Sequence, residues 1–209
     1  MLSARFLFIL NNMAIKLLVG LGNPGDKYEA TRHNAGFWFI DALANQTNSK
    51  LALDAKMFGI VGKLNQDQAN QDNKWLLKPT TFMNASGKAV AALANYYKIN
   101  PSEILVAHDE LDLAVGTAKL KLGGGRSGNG IKDVIAALGT QDFWRLRIGI
   151  GHPGPSSPNK ANEVVDYVLK APTKAENDAL QANIHAACAI VPFLLTGDFE
   201  NAMQKLHTK

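Results

Sequence analysis

His33 stands in the polar stretch Thr31-Arg32-His33-Asn34-Ala35-Gly36, beyond the short apolar run Ile15–Val19. Asp109 and Glu110 follow a second apolar run, 104–108, and the C-terminal ends of strands are where α/β sheets build their sites. Asn23, Asn84 and Asn129 fall in tight loops. A histidine, a carboxylate at a strand end and several amides suit the activation of water together with recognition of a polar substrate. A neutral imidazole takes a proton from water, and an asparagine offers both a donor and an acceptor. A blander reading stands beside this one: a lone loop histidine is more often surface decoration, and an acidic cluster more often caps a turn. The sequence contains no G-x-S-x-G elbow, no H-E-x-x-H pair and no G-x-x-x-x-G-K-[ST] loop.

Gly20-Leu21-Gly22-Asn23-Pro24-Gly25 matches G-x-G-x-x-G, and Asp41 follows about 20 residues on, as a dinucleotide-binding unit would require. What lies between argues against it. A crossover helix must bury an apolar face, and residues 26–34 offer only Tyr28 and Ala30. The glycines are then expected to turn a loop sharply and expose Asn23.

These residues need a scaffold. Residues 15–19, 58–64, 74–78, 104–108, 117–122 and 145–150 read as strands from their β-forming apolar runs and alternation. Residues 37–45, 84–97 and 131–138 read as helices; Val90, Leu93, Ala94 and Tyr97 make one apolar stripe. Asp109–Asp112 reads as an acidic turn, and residues 151–160, with three prolines and two glycines, as a loop. A long helix is expected over 173–195, bent near its end by Pro192. Strands mixed with helices throughout predict one α/β domain, a mixed and mostly parallel sheet flanked by helices.

The chain's 209 residues fit one domain, and a chain of this size buries enough surface to need no disulfide or metal staple. Cys188 is the sole cysteine, which excludes a disulfide framework, and its apolar helical neighbours make it a core thiol. No uncharged apolar run approaches the ~18–20 residues of a membrane span. Residues 1–12 have too short an apolar run for a secretory signal and read as a disordered extension ahead of Met13, with the domain over 13–209. Between Lys119 and Arg147 lie six basic and two acidic residues, which matches the chain's whole net charge of +4. Such a localised basic face points to a polyanion, although solvated lysines are the commoner explanation.

Taken in order, GLGNPGDKYEATRHNAGFWFIDALA, KPTTFMNASGKAV, ILVAHDELDLAVGTAKLKLGGG, NGIKD and FWRLRIGIGHPG resemble the bacterial peptidyl-tRNA hydrolase family. The resemblance runs from about Ile15 to beyond Leu169. It implies hydrolysis of the ester joining a peptide to the 3′ ribose of tRNA by a cytoplasmic monomer, with tRNA as partner, no cofactor or metal, and no membrane. Carried over by motif, His33 corresponds to the catalytic base and Asp109 to the carboxylate that orients and polarises it. Asn23 corresponds to the residue that distinguishes peptidyl-tRNA from aminoacyl-tRNA. Tyr28, Phe82, Asn84 and Asn129 match substrate-binding positions, and Lys121 with Arg147 resembles a clamp for the tRNA 5′ phosphate. The sequence departs from the family at residues 123–130, where the glycine loop is one residue short and lacks the histidine before Asn129. That departure leaves a rival reading, a non-catalytic RNA-binding protein that uses the basic Lys119–Arg147 face.

Overall fold

The computed structural model describes residues 14–65, 73–124, 128–153 and 160–207. The extension expected over 1–12 and the centre of the shortened glycine loop lie outside them.

The apolar runs form strands β1 (Leu17–Gly20), β4 (Trp75–Pro79), β5 (Ile104–Glu110) and β7 (Trp144–Gly149), which pair in parallel as β4-β1-β5-β7. Strands β2 (Ala52–Asp54) and β3 (Gly59–Lys63) extend one edge antiparallel, and β6 (Ala118–Leu122) closes the other. The seven-stranded order is β2-β3-β4-β1-β5-β7-β6, a mixed sheet with a parallel core, as the sequence predicts.

Both faces of the central strands are covered, which explains their unbroken apolar runs. On one face Leu18, Leu76, Leu105 and Leu146 pack with helices α2 (Ala35–Gln46), α6 (Lys174–Ala189), α7 (Val191–Leu195) and α8 (Phe199–His207). On the other, Leu17, Val19, Leu77 and Val106 meet α3 (Ser86–Tyr97) and α4 (Asn129–Leu138). Fully burying each such leucine is worth about 1.5–3 kcal/mol. Cys188 is buried in this core, where desolvation pushes its thiol pKa up to about 12. This is the inert core thiol expected.

Several local expectations change. Asp109 and Glu110 belong to β5 rather than to a turn, because β7 runs on beside them and pairs Asp109 with Ile148 and Glu110 with Gly149. The stretch 173–195 is two helices that meet at Ile190, with Pro192 in the first turn of the second. By length and composition 174–195 could cross a membrane, but Leu180, Ile184, Ala187, Val191 and Leu194 lie in the core. Helices α1 (Asp26–Glu29), α5 (Lys160–Val168) and α8, and strand β2, were not expected. Helix α1 is a single turn with no buried residue, so nothing between β1 and His33 packs as a dinucleotide-binding crossover would.

Candidate active site

The parallel strands β1, β4 and β5 end at one rim of the sheet, and the segments leaving them surround a cleft of about 590 Å³. Its lining includes Asn23, His33, Phe82, Met83, Asn84, His108, Asp109, Glu110 and Asn129, with an apolar wall from Val164, Val165, Val168 and Leu169. The site therefore lies where the sheet topology places it.

His33 sits on a single 3₁₀ turn, Arg32–Asn34, that leads into α2. The turn is held against the sheet by close backbone approach. A Cβ at Gly36 would lie 2.4 Å from the Ala107 carbonyl oxygen, and one at Gly20 would lie 2.1 Å from the Gly36 carbonyl oxygen. His33 Nδ1 lies 2.9 Å from Asp109 Oδ2. A carboxylate only accepts, so Nδ1 carries the proton and Nε2 keeps a lone pair for the cleft. Burial works against the charged ring, but the Asp109 charge and its hydrogen bond outweigh it, and the His33 pKa is raised above the ordinary 6.5. His108, the other histidine of the cleft, is different. Burial holds its pKa below the ordinary value, and its Nδ1 is 2.8 Å from the Asp109 carbonyl oxygen.

Asn23 is only 8% exposed, so the loop does not display it as expected. Its main-chain N–H donates to Asn34 Oδ1 at 2.8 Å, and Asn34 Nδ2 donates to its carbonyl at 3.0 Å. Asn23 Oδ1 in turn accepts the Met83 N–H at 2.8 Å, which joins the β1 loop to the loop after β4. With its oxygen engaged, Asn23 offers the cleft an N–H donor. Asn84, on the 3₁₀ turn Met83–Ala85, and Asn129, the first residue of α4, are exposed and reach the cleft from two further elements. Phe82 is 56% exposed at the cleft, and Tyr28 packs edge-on against it with centroids 6.2 Å apart.

Lys121 and Arg147 lie outside the cleft lining, on the antiparallel pair β6–β7. Lys121 stands opposite Arg145 and Arg147 opposite Lys119, so all four cations share one face of the sheet. Arg147 Nε donates to Glu110 Oε2 at 2.8 Å. Burial opposes the charge on Glu110, yet the Arg147 hydrogen bond, helped by the Asp112 N–H and the His108 and Arg147 charges, lowers its pKa. Glu110 thus connects the basic face to the cleft. The sequence marks Glu110 only as part of the acidic pair at a strand end, with no role of its own, and gives no site role to Arg32 or Asn34. The only signal for the last two is their position on either side of His33. Among the described residues no group of three or more His, Cys, Asp or Glu side chains is placed to hold a metal ion.

The sequence profile described as peptidyl-tRNA hydrolase matches residues 17–209. The chain belongs to the peptidyl-tRNA hydrolase family. It is 59% identical over 196 residues to a peptidyl-tRNA hydrolase of Methylobacillus flagellatus, covering 93% of this chain and 97% of that one. A Coxiella burnetii peptidyl-tRNA hydrolase is 51% identical over 195 residues, covering 93% and 98%. The crystal structure of peptidyl-tRNA hydrolase from Acinetobacter baumannii superposes with a TM-score of 0.86 at 41% identity, covering 94% of this chain and 96% of that one. The family fold is therefore the one described above.

Proposed function

We infer that this member of the peptidyl-tRNA hydrolase family cleaves the ester between peptide and tRNA, with His33 as general base. The observation that carries the reading is the His33–Asp109 pair, 2.9 Å apart, in a cleft that also gathers three asparagines from separate segments of the chain.

His33 Nε2 takes a proton from water as the water oxygen attacks the ester carbonyl carbon. Asp109 fixes the tautomer and stabilises the imidazolium, as an acid partner does in a triad. The carbonyl π electrons move onto oxygen. Amide N–H donors and the N-terminal end of α4, which has no side-chain cap, favour that negative charge. Collapse of the tetrahedral intermediate breaks the bond to the ribose 3′ oxygen, which receives the proton held by His33. Asn23 offers its N–H to the carbonyl of the substrate's peptide group, while Phe82 and Tyr28 provide a stacking surface for a base. On the same reading the enzyme acts as a cytoplasmic monomer, and Lys121 and Arg147 meet tRNA phosphate.

The test is release of tRNA from N-acetyl-aminoacyl-tRNA. Wild type is expected to release it, and His33→Ala to lose about 100-fold or more in turnover with tRNA affinity within a few-fold. Retention of a tenth of the turnover would remove His33 from the base role. A wild type that binds tRNA without cleaving it would favour the RNA-binding reading.

A further inference from the structure

Arg32 precedes the proposed base in sequence, yet its side chain turns away from the cleft. It is 6% exposed, and a guanidinium buried to that degree needs partners to be tolerated; both terminal nitrogens find them, while Nε has none among the described residues. Its partners all come from 135 or more residues along the chain. Nη1 donates to the carbonyls of Tyr167 at 3.4 Å, Lys170 at 3.1 Å and Ala171 at 3.0 Å, in and just beyond the last turn of α5. Nη2 donates to Glu176 Oε2 at 2.8 Å, and the guanidinium carbon lies 4.3 Å from the centre of the Tyr167 ring. The Arg32 main-chain N–H adds a bond to the Lys170 carbonyl at 3.2 Å. The last carbonyls of a helix have no partner within it and form its negative end, so a cation there satisfies both needs.

Helix α5 is also the wall of the cleft through Val164, Val165 and Val168. Its main contact with the other elements of the fold is with the turn Arg32–Asn34. One side chain therefore ties the turn carrying His33 to the wall the substrate meets. We propose that Arg32 is a positioning residue for ester hydrolysis, locking the His33 turn to the C-terminal end of α5 so that base and cleft wall keep one fixed relation. Lysine cannot replace it. A single ammonium lacks the planar fork that reaches three carbonyls, a carboxylate and a ring face together. Glu176 is secondary, because Thr173 at the N-cap of α6 also engages its carboxylate.

The proposal rests on the hydrolase reading, and its test separates the two. Arg32→Lys, Arg32→Ala and the core control Leu206→Ala, in α8, are compared with wild type on N-acetyl-aminoacyl-tRNA well below their melting temperatures. Loosening a reacting group by about 1 Å costs on the order of 100-fold. Both Arg32 variants are therefore expected to lose about 30- to 100-fold in kcat, more than any rise in KM. Leu206→Ala, whatever its loss of Tm, should keep kcat within about three-fold. Millimolar guanidinium should restore part of the Arg32→Ala activity, while ammonium should not. The His33 ring, followed by NMR in Arg32→Lys, should titrate at lower pH as it parts from Asp109. A folded Arg32→Lys with kcat within three-fold of wild type and an unmoved His33 titration overturns the proposal. So does a kcat loss that Leu206→Ala reproduces. A wild type that cleaves nothing overturns the hydrolase reading instead, and the His33 titration still decides the place of Arg32.

Discussion

His33 is pulled in two directions: burial favours its neutral form, and Asp109 favours the charged one more strongly. Asp109→Asn removes the charge and leaves the burial, so the His33 midpoint should fall below its wild-type value, and turnover with it. NMR titration of the ring measures the first and ester cleavage the second; an unmoved midpoint would mean the pair does not form in solution. The same shift appears in stability. A folded-state pKa above the unfolded value contributes stability that is complete below the unfolded pKa of about 6.5 and is lost as pH rises through the folded pKa. The Tm gap between wild type and Asp109→Asn should therefore be widest at about pH 5–6, where His33 is charged. It should narrow in alkali, and thermal melts across that range read it directly. The sequence singled out His33 and Asp109 as residue types worth having at those places. It could not show that Arg32 and Asn34, polar residues beside them, are both buried, since burial of a polar side chain depends on partners far away in the chain. Arg32 finds its partners at residues 167–176, and Asn34 at Asn23.

The elements that hold the pair are tuned by contact rather than by flexibility. Gly36, at the start of α2, leaves no room for a methyl group: its Cβ would lie 2.5 Å from both the Leu21 nitrogen and oxygen as well as close to Ala107. Gly36→Ala must therefore lift the N-terminal end of α2 from β1 and β5. Overpacking of this kind costs about 1–3 kcal/mol. The turn bearing His33 immediately precedes this contact, so kcat should drop together with Tm. A variant that loses Tm but keeps kcat would separate the helix from the catalytic turn. The central strands were readable because burial on both faces writes an uninterrupted apolar run. The extension of β5 through Asp109 and Glu110 was not, because two acids in sequence resemble a turn and only the neighbouring β7 pairs them. That extension sets the carboxylate on a hydrogen-bonded ladder rather than on a loop. Helix α8 had a usable signal in Phe199, Ala202, Met203 and Leu206, spaced i, i+3, i+4 and i+7. Helix α5 was obscured by the proline-rich residues ahead of it, and strand β2 by its exposed side chains.

At the scale of the whole molecule, the basic face and the cleft are adjacent but joined asymmetrically. Lys121 is exposed on edge strand β6, whereas Arg147 is half-buried and paired with Glu110, which itself lines the cleft. The two proposed phosphate contacts should therefore respond differently to removal. Lys121→Ala takes away a cation that lies outside the cleft lining, so KM for full-length tRNA should rise, about equally across tRNA species, with kcat unchanged. Loss of one phosphate contact should also lower the log K against log [salt] slope by roughly 0.7 on a single-strand basis. A minimal substrate, a peptide esterified to a short CCA-like end, should not register the change, since it carries no distant phosphate. Arg147→Ala should show the same effects on tRNA and one more. Without its guanidinium, Glu110 loses the hydrogen bond that most lowers its pKa, and an uncompensated carboxylate is left at the cleft. Its pKa should rise, and the acid limb of kcat/KM on the minimal substrate should move with it. Equal behaviour of the two variants on the minimal substrate would show that Glu110 does not link the basic face to the cleft. A Lys121→Ala loss as large on the minimal substrate as on tRNA would move the tRNA grip to another surface.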